Sequence, residues 1–173
     1  MKEFATWLSL TPMSVYMQRH ETWVIPTIQS IHIIGIGLVI GSALMMTLRV
    51  VGWAGTDQSL LQSQNRFGPW LTGALCLLLA SGTLMVIGEP ERELVTFSFW
   101  AKMSLVAAVT LIAVFFQLGV AKNERRWEEM LAKGGAIKWA ALGTFLIWAS
   151  IIILGRLIAY DHVWGRLSPA TKA

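Results

Sequence analysis

Four long apolar stretches, at residues 22–48, 67–88, 94–121 and 139–160, leave this chain few ways to fold. Each reaches the roughly 20 helical residues that cross a hydrocarbon core. A bilayer offers no water to backbone amides, so only helices or closed barrels span it. Stretches of this length without alternation are helical, and the sequence therefore predicts an all-α fold, an integral membrane four-helix bundle. Composition agrees: 55% of residues are hydrophobic, 14% are charged and the mean hydropathy is +0.58, whereas soluble domains carry about a quarter charged residues.

Four spans within 173 residues leave room for one membrane domain, 1–173, and for no attached soluble catalytic module. The net charge of +4 does not call for nucleic acid, because the basic residues sit mostly at span ends, where they meet anionic headgroups. The partner these residues imply is the lipid bilayer. Residues 1–21 lack the basic start, apolar run and small-residue cleavage site of a signal peptide, so the first span is expected to be the insertion signal. Phe4, Trp7, Leu8, Val15 and Tyr16 read as an N-terminal interfacial amphipathic segment, with Thr11 as an N-cap and Pro12 at the first helical position. Tryptophans 23, 53, 70, 100, 127, 139 and 164 fall near span ends, as anchors in an aromatic belt. Gly37 and Gly41 have the spacing of a close helix contact within the bundle.

An even number of spans puts both termini on one side. The loops at 49–66 and 122–138 carry seven basic residues (Arg49, Arg66, Lys122, Arg125, Arg126, Lys133 and Lys138), whereas the termini side has five. The bias toward positive charge on the cytoplasmic side then places both termini outside, in the periplasm of a bacterial inner membrane.

All three histidines belong to the termini side. His20 precedes the first span, His162 follows the fourth, and His32 lies about 15 Å down the first at 1.5 Å per residue. Gln29 is one turn above His32 and Gly35 one turn below it, on the same face. Lys102, Arg156 and Tyr160 enter from that side on the third and fourth spans. Ionisable groups inside a membrane are costly and mark function, although a lone histidine also occurs as a hydrogen-bonded bundle residue and Lys102 and Arg156 are shallow enough to snorkel.

A haem b between helices needs imidazole ligands, small residues against the macrocycle and cations or hydroxyls for its propionates. His32 with Gly35 meets the first two needs, and Arg156, Lys102 and Tyr160 the third; His20 is the preferred second ligand to the iron, His162 the other candidate. A quinone is the other redox ligand that such a cluster suits. No intramembrane carboxylate set, HExxH or phosphate loop is present, and Glu89, Glu91 and Glu93 with Arg92 read as a solvated turn. The charges from Lys122 to Glu129 read as an exposed helical extension of the third span.

Trp7-Leu8, Thr11-Pro12, His20-Glu21, Pro26, His32, Leu48-Arg49, Pro69-Trp70, Lys102, Trp148 and the ending Gly155-Arg156-Leu157-Ile158-Ala159-Tyr160 resemble a bacterial family of small four-helix inner-membrane proteins of unknown function. The resemblance covers nearly the whole chain except His162 and implies the fold and the membrane, but no activity. An N-terminal span with a buried histidine and a basic residue ending the last span is also similar, as an analogy, to small cytochrome b-like membrane proteins. Two functions follow: a b-type haem-binding or quinone-contacting electron-transfer subunit serving a redox partner, or a non-catalytic anchor or assembly subunit that binds lipid or a partner protein.

Overall fold

The computed structural model describes residues 2–157, which form eight α-helices and no strand. Four are long and apolar enough to cross a membrane: α3 (Glu21–Val51), α4 (Leu60–Gly88), α6 (Phe97–Lys122) and α8 (Ala136–Leu157). Four shorter helices, α1 (Lys2–Ser9), α2 (Pro12–Arg19), α5 (Pro90–Leu94) and α7 (Glu124–Lys133), lie at their ends. The four apolar runs thus fall within four helices of membrane-crossing length, and the polar connections fold into helices of their own.

α3 packs most extensively on α4 and also on α8, while α6 packs on α8 and more thinly on α4. Small residues set the α3–α4 contact. A Cβ added at Gly35 would stand 2.9 Å from Leu78 Cδ2, and Ala43 and Ala74 lie in the shared core with Val39, Val109 and Trp148. Gly37 and Gly41 do not take part. They lie on the opposite side of α3, exposed and with nothing within 4 Å, because two residues turn a helix by about 200°. Outside the core the long helices present bare apolar side chains: Ile33, Leu79, Phe115, Leu146 and Ile153 are all exposed.

α4 starts at Leu60, seven residues before the expected span, because its first turn is fully capped. Ser59 Oγ accepts from the Gln62 amide at 3.2 Å, and Gln62 Oε1 accepts from the Ser59 amide at 2.9 Å. The remaining first-turn amides, of Leu60 and Leu61, donate to Glu128 Oε1 at 2.7 Å and Glu124 Oε1 at 3.1 Å. α7 is therefore no extension of α6. The chain breaks at Asn123 (φ −156°, ψ 76°) and folds back, so that two carboxylates one turn apart satisfy donors at the positive end of the α4 dipole. Arg49, 12% exposed, clamps the joint by donating to Glu128 at 3.0 Å and, through Nε, to Gln58 O at 2.6 Å. Trp127 stacks edge-on against Phe116 and covers Gly119, where a Cβ would come within 2.8 Å of the indole. It is an internal wedge, unlike Trp23, Trp53 and Trp139, which are exposed near helix ends, and Trp70, which is exposed ten residues into α4 rather than at its end.

At the other end Thr11 caps α2 as expected, its hydroxyl accepting from the Ser14 amide at 3.4 Å. α1 and α2 bury Ala5, Ser14 and Met17 toward α4 and α5 and expose Phe4, Trp7, Leu10 and Tyr16.

Candidate functional site

The polar cluster forms where α3, α4, α6 and α8 converge toward the end that carries the N-terminus. His32 of α3 faces α4, with Nδ1 2.8 Å from Ser81 Oγ. The Ser81 hydroxyl hydrogen is committed to Leu77 O at 2.7 Å, so Ser81 accepts and His32 Nδ1–H donates. Nε2 then carries the lone pair, in the manner of a histidine whose second nitrogen is oriented by an outer partner. The ring lies over Gly82, where a Cβ would meet His32 Cε1 in ordinary van der Waals contact at 3.5 Å. Ser81 is seven residues before the end of α4, which puts the pair about 10 Å down that helix. The imidazole is half-buried, and Ile31, Ile33 and Ile34, which turn to other faces of α3, are exposed.

Lys102 turns inward. Its stem crosses Gly155 of α8 at 3.7 Å from a Cβ position there, and its Nζ sits 5.6 Å from the Phe99 ring centroid. The ammonium is within electrostatic range of both His32 and Glu93. Arg156 is exposed on the last turn of α8, one residue past Gly155.

Glu93 was read as solvated; it is 5% exposed. α5 is too short to hold its acids in water on all sides, and α1 packs over it, so Glu93 is covered while Glu89 and Arg92 pair at the surface at 2.8 Å. Burial pushes the Glu93 carboxyl above its ordinary value of 4.5; Lys102 and then Arg92 pull it back, and Glu89 adds to the rise. A folded-state value above the unfolded one means that the native state holds the proton longer. Stability from this group is therefore complete below 4.5 and is lost as pH rises through the raised value. The unfolding temperature of the purified protein should show this falling limb, and Glu93→Gln should flatten it; parallel pH profiles for the two proteins would remove Glu93 from the account.

The other candidates fall elsewhere. His20 ends α2, its Nδ1 2.9 Å from Tyr16 O and its ring 4.5 Å from the Tyr16 ring. α3 runs unbroken through Pro26, so His20 and His32 are separated by twelve residues, about 18 Å of rise. The structure does not bring them to one metal ion, and no group of three or more His, Cys, Asp or Glu side chains gathers among the described residues. Gln29 is half-buried and makes no hydrogen bond among the described residues. Gly35 is filled by Leu78 and Leu77, which leaves no bare backbone for a flat ring. Tyr160 and His162 lie outside the described residues. Sequence reasoning missed Ser81, Gly82 and Glu93. A serine–glycine pair inside an apolar run was the only sign of the first two, and nothing local marked Glu93.

These features define an all-α protein with four apolar, membrane-length helices and a histidine–lysine–glutamate cluster near one end. The chain belongs to the family of unknown function DUF6644, whose sequence model matches residues 5–161. That match takes in every member of the cluster. No curated protein and no solved structure matches the chain.

Proposed function

We propose that this is a membrane-embedded electron-transfer subunit that receives a quinone or quinol ring at His32. The observation that carries the reading is the Ser81–His32 hydrogen bond. It orients the Nε2 lone pair of a half-buried imidazole, which a lipid-soluble ring can approach sideways from the bilayer. The exposed apolar flanks of all four long helices support embedding, since large apolar patches on a soluble protein mark a covering partner or aggregation. Nε2 is suited to accept a hydroxyl proton from a quinol, the role in which histidine serves as a general base. Lys102 supplies positive charge against the oxygen that loses the proton. Oxidation of the quinol to the quinone releases two protons, which leave for water by way of His32 and the shallower, buried Glu93, and two electrons, which pass to an electron-accepting partner protein on the same side.

Haem b fits these residues less well. His32 offers one ligand, but His20 is out of reach and the space at Gly35 is filled by leucine side chains. The anchor reading, in which the cluster only ties helices together, is the second outcome of the test. Purified protein in nanodiscs should bind a short-chain ubiquinone analogue saturably, read by tryptophan quenching. A Soret band in the untreated protein would transfer the site to haem, and colourless protein with no saturable quenching would leave the anchor reading.

By the basic residues of the loops at 49–66 and 122–138, we place the chain in a bacterial inner membrane with both termini in the periplasm. In a Cys76→Ser background, Lys133→Cys should resist an impermeant maleimide in intact cells while Ser9→Cys reacts; the reverse labelling would invert the orientation.

A further inference from the structure

We infer that the cleft between the end of α6 and the start of α7 binds the phosphate headgroup of an anionic phospholipid. The inference shares with the reading above only the membrane, and it concerns the end of the bundle away from His32.

The cleft, about 490 Å³, is lined by Gly119, Lys122, Asn123, Arg126, Trp127 and Met130. Its charge is unbalanced because every acid of α7 is committed elsewhere. Glu124 and Glu128 hold the first turn of α4 and Arg49, and Glu129 pairs with Arg125 at 3.1 Å. Lys122 and Arg126 have no carboxylate partner among the described residues. The Trp127 indole N–H, beside Gly119, makes no hydrogen bond among the described residues either and is open to a ligand in the cleft. Two cations and one idle N–H around a cavity are a set of donors for an anion. Which anion follows from what lies beneath: Leu118 and Phe115, one and two turns nearer the middle of α6 than Lys122, are 63% and 71% exposed. Phe115, Leu118 and Lys122 fall on one face at i, i+3 and i+7. A headgroup in the cleft thus has its acyl chains continuing down an uncovered apolar strip, which a free phosphate cannot use. Basic pockets at helix ends on the cytoplasmic side bind acidic lipids in this manner.

Native mass spectrometry of the full chain in mild detergent tests it, with phosphatidylglycerol, phosphatidylcholine of the same chains and inorganic phosphate as probes. Phosphatidylglycerol should be retained in preference to phosphatidylcholine. The Lys122→Ala/Arg126→Ala double variant should lose about thirtyfold in that affinity. Arg125→Ala, whose side chain is 90% exposed and already paired, should bind as the parent does. Both altered sites are at the surface, so folding is not at stake. Undiminished binding by the double variant, equal retention of the two lipids, or displacement of phosphatidylglycerol by inorganic phosphate at equal concentration would each overturn the assignment. None of these outcomes bears on quinone binding at His32.

Discussion

Replacing Glu128 with alanine should destabilise the protein by about 3 kcal/mol, more than any other single change to its polar contacts. Glu128 closes three bonds at once, accepting from Leu60 N–H at 2.7 Å and from Arg49 Nη2 at 3.0 and 3.3 Å. Arg49 is nearly covered, so its guanidinium would stay behind with only the Gln58 carbonyl as partner. A helix N-terminus and a buried cation would then both lack their acceptor, and each such orphan costs more than the bond it lost was worth. Glu129→Ala is the matched control, because the Arg125–Glu129 pair is 90% and 59% exposed and such pairs contribute less than about 1 kcal/mol. The measurement is the unfolding of purified protein in mixed micelles, followed by far-ultraviolet circular dichroism. Equal losses in the two variants would show that α7 does not hold α4.

At the other end, His32→Ala should abolish the ubiquinone-analogue quenching while expression and helicity stay at parent levels. The substitution removes the only imidazole at this depth among the described residues and leaves Ser81 bonded to Leu77 O, so the fold loses one hydrogen bond of about 1 kcal/mol. Ser81→Ala is the more discriminating change. It keeps the ring but frees Nδ1, so that the proton can move to Nε2 and the accepting lone pair is no longer fixed. Affinity should fall by a factor of about ten, the worth of one oriented hydrogen bond. Lys102→Met should weaken binding while leaving the His32–Ser81 contact in place. A purely structural histidine would give a different pattern: His32→Gln and Ser81→Ala would shift thermal stability together and leave quenching unchanged.

The spans were legible because their signal is local and redundant. Four runs of apolar residues leave a chain in lipid no alternative to helices, and Thr11-Pro12 announced the start of α2 in two adjacent residues. Ends were less legible. Ser59 and Gln62 form a capping box that can be read from sequence, yet the polar residues between them and Pro69 hid the first turns of α4 behind a loop-like composition. The candidate site was half legible. His32 and Lys102 stand out as ionisable residues in apolar runs, and both reach one cluster. Ser81, 49 residues away, is found only when α3 meets α4, and the glycine that permits that meeting is Gly35, not the more conspicuous Gly37 and Gly41.

The sequence by itself determined what depends on composition along a helix: the number of long apolar helices, their approximate length, and which end of the bundle holds His20 and His32. Tertiary structure alone decided what depends on which faces meet. It turned Glu93 inward and Glu91 outward within one short helix, set Glu124 and Glu128 on the amides of α4, and fixed which nitrogen of His32 is left free. The physical reason is one of range. Burial of an apolar run is a sum over neighbours in sequence, whereas a hydrogen bond or a desolvated charge is settled by a single partner, and here each of those partners comes from another helix.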